Sequence, residues 1–383
     1  MRYKIAYLTS KKPLDKKQTS GVYYYQSKSI EKYCGEITYL GPVNHFLIYL
    51  VIKISNLFNR LSPKKYKDSH SIIISKIYGW IFTKKLKNKN FDIIFSDKSS
   101  CEIAYVKTNI PIIYSTDATF KLLHNYYPKY TNLLKSSVRE GNYLEKKAIH
   151  NASSIICTSE WAAFSVINDY HYPKEKVNIM VRGANIDKKI DMKSIYTLKN
   201  NNKINLLFLG EEWYRKGYDI AYNAMKHIKS KKQKVGLTVV GFNPPAQFID
   251  ENVKVLKYVN KNTKEGIDLF DNIMYESNFL LLPTRAECVA IAFNEAAAYG
   301  LPVITRNTGG ITEVIKDGIN GYALPENSTH QDFADKILEI YNSKEHYKDL
   351  IKSSRAYYEK RLNWDHWGRS LKKLLDQNIN YKS

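Results

Sequence analysis

The chain has four cysteines in 383 residues, Cys34, Cys101, Cys157 and Cys288, scattered widely and without a Cys-x-x-Cys pair or a Cys/His cluster. Neither a zinc site nor a disulfide framework is indicated, and reduced thiols in a cytosolic protein are the expectation. No apolar run approaches the roughly 18–20 residues needed to span a bilayer. The longest strongly apolar stretch, Phe46 to Ile52, stops at Lys53. Met1 is followed at once by Arg2, Tyr3 and Lys4, which reads as the start of a charged strand and not as a signal peptide. Acidic residues are few: 37 Asp and Glu stand against 59 Lys and Arg, a net charge of +22. Such a surplus suits nucleic acid, anionic lipid or an anionic substrate. No nucleic-acid recognition motif accompanies it, and the basic blocks are interleaved with long aliphatics. Part of the surplus is compositional, since Lys, Ile, Asn and Tyr (31 tyrosines) are all abundant.

What is present is an alternation of short apolar runs and helical stretches. A chain of 383 residues points to two domains. In the first half, strands are expected at Ile5–Leu8, Ile37–Leu40, Phe91–Phe95, Ile110–Tyr114 and Ser153–Cys157, with a helix over Val22 to Tyr33. Runs rich in β-branched residues and separated by helices argue for a parallel sheet covered on both faces. The Lys- and Asn-rich stretch from Asp187 to Lys203 has no core pattern and reads as a linker. The alternation then restarts at Ile204–Leu209, Gly236–Gly241, Val253–Tyr258, Phe279–Leu282 and Val303–Ile304. The expected division is 1–187 for a first Rossmann-like domain, 188–203 for the linker, 204–358 for a second such domain, and 359–383 for a C-terminal helix.

The most informative segment lies in the second half. Phe279–Leu282 leads into Pro283-Thr-Arg-Ala-Glu287-Cys-Val-Ala-Ile-Ala-Phe-Asn-Glu295, and Gly300-Leu-Pro302 closes it before the next apolar run. Strand, loop, helix, turn and strand make one βαβ unit. Ligands bind such units at the carboxyl ends of the strands. Glu287 falls just after the first strand and should face that crevice. Glu295 is expected two helical turns on, roughly 80° around from Glu287 in a regular helix.

This spacing resembles the Glu-x7-Glu signature of the retaining GT4 glycosyltransferases of the GT-B fold. The resemblance continues through Glu295-Ala-Ala-Ala-Tyr-Gly300-Leu-Pro-Val303, Gly309-Gly310, Glu313 and Asp317-Gly-Ile-Asn-Gly321. It implies an α/β fold of two Rossmann-like domains facing across a cleft, with a C-terminal helix crossing back to the first domain. It also implies a retaining, metal-independent transferase that moves a hexose-type sugar from a nucleotide-diphosphate sugar to a glycan or lipid-linked acceptor in bacterial surface polysaccharide or glycolipid synthesis. No cofactor is implied. GT-A enzymes commonly neutralise the leaving diphosphate with a metal on an Asp-x-Asp motif, and this chain has no Asp-x-Asp. Basic side chains and helix N-termini must then meet that charge.

The resemblance assigns roles residue by residue. Lys216, in Gly210-Glu-Glu-Trp-Tyr-Arg215-Lys216-Gly217-Tyr-Asp219, matches the lysine that binds donor phosphates. Arg215 adds a second cation, although the family's arginine often stands directly after the strand glycine, where this chain has Glu211. Glu295 matches the residue that accepts both ribose hydroxyls, and Glu287 the residue that contacts the donor sugar. The backbone amides of Val289, Ala290 and Ile291 would face the diphosphate. Ala290 departs from the glycine frequent in the family. Gly21 matches a glycine-bearing loop after the first strand, and Gly183 another lining the cleft. Asp117 stands near the place of a family histidine close to the reaction centre. It either positions or deprotonates the acceptor, or caps the helix containing Leu122 and Leu123.

Residues 45–87 alternate apolar and basic blocks. Such a pattern suits peripheral contact with an anionic membrane, here the inner face of the cytoplasmic membrane, or else a core helix with solvated lysines. Two other functions stand beside the transferase: a GT-B relative with different chemistry, such as a sugar-nucleotide epimerase, and a basic nucleic-acid-binding protein. The partners expected are a nucleotide-sugar donor, a glycan or lipid-linked acceptor and that membrane surface, with no nucleic acid.

Overall fold

The computed structural model describes residues 2–188, 190, 191, 195 and 202–379. Most of the expected linker, 188–203, lies outside the described residues. The chain forms two compact units, Met1–Val181 with Trp367–Ser383, and Arg182–His366.

The first unit is built on a parallel sheet of β1 (Tyr3–Tyr7), β2 (Gly35–Tyr39), β3 (Ile93–Asp97), β4 (Ile112–Thr116), β5 (Ser154–Cys157) and β6 (Val177–Ile179), in the order β2-β1-β3-β4-β5-β6. Ile5 pairs with Ile93, and Ile94 with Ile112. β3 and β4 are buried at every position, as for inner strands covered by helices on both faces. The edge strands β2 and β6 are half-exposed. The expected strands are all present, displaced by up to two or three residues: the apolar run at Phe91–Phe95, for example, becomes Ile93–Asp97 because Phe91 and Asp92 belong to the approach.

The helix Val22–Tyr33 falls where its pattern places it. It starts from an unusual turn, in which Thr19, Ser20 and Gly21 have φ of 50°, 54° and 79°. Three successive left-handed residues are costly for Thr and Ser and natural only for Gly21. At the far end of the chain, a helix spans Trp364–Ile379. Its residues from Trp367 onward belong to the first unit, and the helix as described is shorter than the expected 359–383. Trp367 is buried and stands edge-on to Phe95, with ring centroids 5.9 Å apart. The Tyr3 hydroxyl donates to Asp376 at 2.5 Å.

The second unit repeats the plan with β7 (Ile204–Leu209), β8 (Val235–Val240), β9 (Val253–Leu256), β10 (Phe279–Leu282), β11 (Val303–Arg306) and β12 (Gly321–Leu324), in the order β12-β11-β10-β7-β8-β9. β10 and β11 are fully buried. All pairings in both sheets are parallel. The chain winds outward one way from β7 and the other way from β10, so the topological switch point lies between those neighbours. In the first unit it lies between β1 and β3. Open sheets of this kind hold ligands outside the carboxyl ends of the strands at such points.

Candidate active site

In the second unit the loops that leave β7 and β10 are locked together. Gly217 has φ +77°, and a Cβ on it would lie 2.0 Å from the Pro283 carbonyl oxygen, so only glycine allows the two backbones this close. The Arg215 carbonyl accepts from the Arg285 amide at 2.7 Å and from Thr284 Oγ1 at 3.1 Å. Arg215 Nη1 donates back to the Ala286 carbonyl at 2.8 Å. Asp219 takes both terminal nitrogens of Arg285, at 2.8 and 2.6 Å, a bidentate pair that fixes the β10 loop to the helix Tyr218–Ser230.

This scaffold brings Arg215, Lys216 and Glu287 together. Lys216 Nζ and Arg215 Nη1 both donate to Glu287 Oε2, the latter at 3.2 Å, and Arg215 Nε is also paired with Glu212. Glu287 is 7% exposed. Burial acts to raise its carboxyl, but the Lys216 ammonium and the Arg215 guanidinium outweigh burial and hold it below the ordinary carboxylate range. The cluster is thus a charged carboxylate facing two cations at a switch point. A ligand with anionic phosphates and free hydroxyls has partners of both kinds here.

Glu295 sits differently from the expectation. The helix runs Ile291–Ala298, so Glu287 is a loop residue and Glu295 lies one turn in, not two. The angle drawn from a continuous helix therefore does not apply; Cys288 and Val289 continue the apolar pattern but belong to the loop. Glu295 is buried, and Lys261 Nζ donates to its Oε1 at 2.7 Å. Burial pushes the Glu295 carboxyl up and Lys261 offsets only part of that. Val289, Ala290 and Ile291 lead into the helix, and no side chain caps it. Ala290 has φ −76° and ψ 124°, extended backbone that alanine adopts without strain. Downstream, Glu313 is paired with Arg361.

Gly183 has a packing role in the structure, since a Cβ there would meet the Trp364 amide nitrogen at 2.2 Å. Its neighbour Asn185 accepts from the Trp364 indole at 2.9 Å.

In the first unit Gly21 ends the loop that leaves β1, and Asp117 follows β4. Asp117 is not the cap of the next helix. Thr119 is, its Oγ1 accepting from the Leu122 amide at 3.4 Å. Asp117 is instead paired with Lys98 at 2.8 Å. Lys98 follows β3 with φ 49°, and its amide donates to the Ser115 carbonyl at 2.8 Å. Beneath this loop Glu145 is buried and accepts from the Tyr114 hydroxyl at 3.1 Å. Lys98, Glu145, Lys261 and Arg285 were not singled out from the sequence. Lys98, Glu145 and Lys261 lie in no recognisable motif, Arg285 lies inside the segment that leads to Glu287, and each acquires its partner from a distant element.

Residues 191–357, which fall within the second unit, match the family model of glycosyl transferases group 1. An uncharacterized glycosyltransferase of Methanocaldococcus jannaschii is 27% identical over 64% of this chain and 65% of its own length. The capsular polysaccharide biosynthesis glycosyltransferase CapM of Staphylococcus aureus is 25% identical over 52% of this chain and 55% of its own. The matches thus span between half and two thirds of these relatives. Among solved structures, a sucrose-phosphate synthase from Thermosynechococcus elongatus has a TM-score of 0.72 at 14% identity, with both chains covered in full. HepE of Anabaena, in complex with UDP and glucose, has a TM-score of 0.67 at 16% identity, covering 98% of this chain and 100% of that one. The fold is that of the GT-B glycosyltransferases, and the family match and relatives support a glycosyltransferase.

Proposed function

We propose that the chain is a retaining glycosyltransferase of the GT4 type. It moves a hexose-type sugar from a nucleotide-diphosphate sugar to a glycan or lipid-linked acceptor in the making of a bacterial surface polysaccharide or glycolipid. The observation that carries this reading is the convergence of Arg215 and Lys216 on the buried Glu287, at the switch point of the unit that matches the family. A departing nucleoside diphosphate develops charge on its β-phosphate. Lys216 and Arg215 supply fixed cations for it in a site shielded from water, together with the uncapped amides of Val289, Ala290 and Ile291. In this reading these groups meet the charge without a metal. A bound donor takes the cations with its phosphates and Glu287 with its sugar hydroxyls, exchanging one set of charge-assisted bonds for another. Glu295 accepts the two ribose hydroxyls.

The chemistry is a front-face displacement. The bond from the anomeric carbon to the phosphate oxygen breaks, the bond to the acceptor oxygen forms on the same face, and the acceptor's proton passes to the leaving phosphate. No protein nucleophile takes part. Asp117, held by Lys98, is the group assigned to orient the acceptor. Thermal-shift titration with UDP, GDP, ADP and their sugars tests the reading. A ligand at about 100 times its Kd stabilises by about 2.7 kcal/mol, a shift of several degrees. If no nucleoside diphosphate raises Tm, the assignment fails.

The helix Phe46–Leu61 supports a membrane contact as part of this function. Only Ile48 and Ser55 are buried on it, while Phe46 is 72% and Leu61 79% exposed, which supports a surface role for this helix; the helix Ile72–Leu86 is packed into the core through Ile74, Phe82 and Leu86. It carries no acidic residue. Trp80, from the helix Ile72–Leu86, is exposed beside it, with the Lys84 ammonium 4.1 Å above its ring. Among the described residues no helix is long and apolar enough to cross a membrane. An apolar face without acids, flanked by Lys53, Arg60, Lys64 and Lys65, fits the surface of an anionic bilayer. The protein should float with vesicles containing anionic lipid, and a Leu57→Asp, Leu61→Asp variant should not. Equal flotation of both would remove the membrane from the reading.

A further inference from the structure

Resting on the reading of Glu295 as the ribose acceptor, we propose that Lys261 makes the nucleotide site select ribonucleotides over 2′-deoxyribonucleotides. It does so by pairing with Glu295 Oε1, which favours the carboxylate form and fixes its orientation for a vicinal diol. Lys261 lies in the turn between β9 and the helix Lys264–Glu276. That turn is held by its own hydrogen bonds. The Asn260 carbonyl accepts from the Thr263 amide at 3.1 Å and from Thr263 Oγ1 at 3.2 Å, and Asn260 Oδ1 accepts from the Asn262 amide at 3.2 Å. The side chain is fixed as well. Its ammonium stands 3.6 Å from the centroid of the buried Phe270 ring and 2.7 Å from Glu295 Oε1. A cation held between an aromatic face and a carboxylate cannot swing freely.

Glu295 is 4% exposed, an environment that favours the neutral acid. The other titratable groups near it do not help to ionise it. Tyr299, just past the end of its helix, donates to Asp271 of the helix Lys264–Glu276, so a second carboxylate and not a second cation lies on that side. Lys261 is the group that counters burial. The distinction matters because a protonated acid carries a hydrogen on one oxygen, whereas a carboxylate accepts at both. A ribose presents two adjacent hydroxyl donors, and a 2′-deoxyribose presents one. With Lys261 occupying one edge of Oε1, the ionised group still has lone pairs on both oxygens for the pair of hydroxyls. Loss of one hydrogen bond to a charged acceptor changes affinity on the order of tenfold or more.

The test measures Kd by calorimetry for UDP, GDP and ADP and for their 2′-deoxy counterparts. The proteins compared are the parent and the variants Lys261→Met, Lys261→Arg and Glu295→Ala, with folding checked by circular dichroism. The parent should prefer the ribonucleotide on the order of tenfold. Lys261→Met should bring that ratio close to one, and Lys261→Arg should keep it. If Lys261→Met keeps the ratio while Glu295→Ala loses it, the inference is overturned and the ribose role of Glu295 stands. If Lys261→Met weakens both nucleotides equally, the lysine merely attracts phosphate, and the inference is again overturned. If Glu295→Ala binds and discriminates like the parent, the reading of Glu295 fails and takes the inference with it. Lys261→Gln carries the same comparison if the methionine variant does not fold.

Discussion

At the β7/β10 switch point of the second unit, two cations meet one buried carboxylate, and the loops that carry them are tied by backbone contacts that only Gly217 permits. At the carboxyl edge of the first unit, charges also meet, but as an accessible pair: the side chains of Lys98 and Asp117 are 31% and 20% exposed. The same sheet plan therefore supports two kinds of surface. One holds fixed charged groups shielded from water, the arrangement that the proposed stabilisation of developing charge needs. The other is a wetter edge, with a buried carboxylate, Glu145, beneath its loop and strained residues at Thr19, Ser20 and Lys98. On the proposed function, the first kind of surface suits a donor's diphosphate, whose chemistry is constant, and the second suits an acceptor, whose chemistry varies.

The contrast can be broken at Lys216. Lys216→Ala should cut turnover on the order of 100- to 1000-fold, as for removal of one group stabilising transition-state charge. Lys98→Ala, which removes a partly exposed ion pair worth at most about 1 kcal/mol, should cost no more than about fivefold. Steady-state kinetics with the cognate donor gives both numbers. If the Lys98 variant loses as much as the Lys216 variant, the first unit holds a charge-stabilising site of equal weight and the distinction between the two edges collapses.

Glu145 sharpens the comparison through stability. Burial pushes its carboxyl up to about 7, partly offset by hydrogen bonds from Tyr114 and Ser100. In an unfolded chain it titrates near 4.3. Between those values the folded state keeps a proton that the unfolded chain releases. This group's contribution to stability therefore falls as pH rises through the window and levels off above it. Glu145→Gln stays neutral throughout. From pH 5 to pH 8, stability should shift in favour of the variant relative to the parent by on the order of 2–3 kcal/mol, read from denaturant unfolding curves. Parallel curves for the two proteins would show that Glu145 is ionised at neutral pH and that the first unit's edge is as polar beneath its loop as above it.

The elements most legible in the sequence were those whose environment is uniform. β3, β4, β10 and β11 are buried along their whole length, so apart from Asp97 and Arg306 at the carboxyl ends of β3 and β11 their sequences are apolar, aromatic or small and stand out from the loops. The Glu287 and Glu295 block was legible because its residue types and spacing occur together. Its local geometry was less so, since Cys288 and Val289 extend the apolar pattern of the helix one turn too far back into the loop. Lys261 and Lys98 were illegible for another reason. In a chain with 59 basic residues, a lysine in a polar loop carries no signal until the fold supplies Phe270 and Glu295, or Asp117, as its partner.

The smallest effect is expected at Ala290, where the chain departs from the glycine frequent in GT4 enzymes. A glycine would be needed there if the backbone were left-handed or if a Cβ crowded the ligand. The first condition is absent, because φ is −76° and ψ 124°. Ala290 is 5% exposed, so its methyl is already packed against the protein. Ala290→Gly should therefore leave nucleotide affinity within about a factor of three. Stability should fall by about 0.4–1 kcal/mol through the freer unfolded chain. Calorimetric titration and thermal unfolding measure the two quantities separately. A tenfold gain in affinity would mean that the alanine methyl holds the phosphates away from the amides of Val289, Ala290 and Ile291, and that the second unit's site, fixed as its cations are, has been set for weaker donor binding by this one side chain.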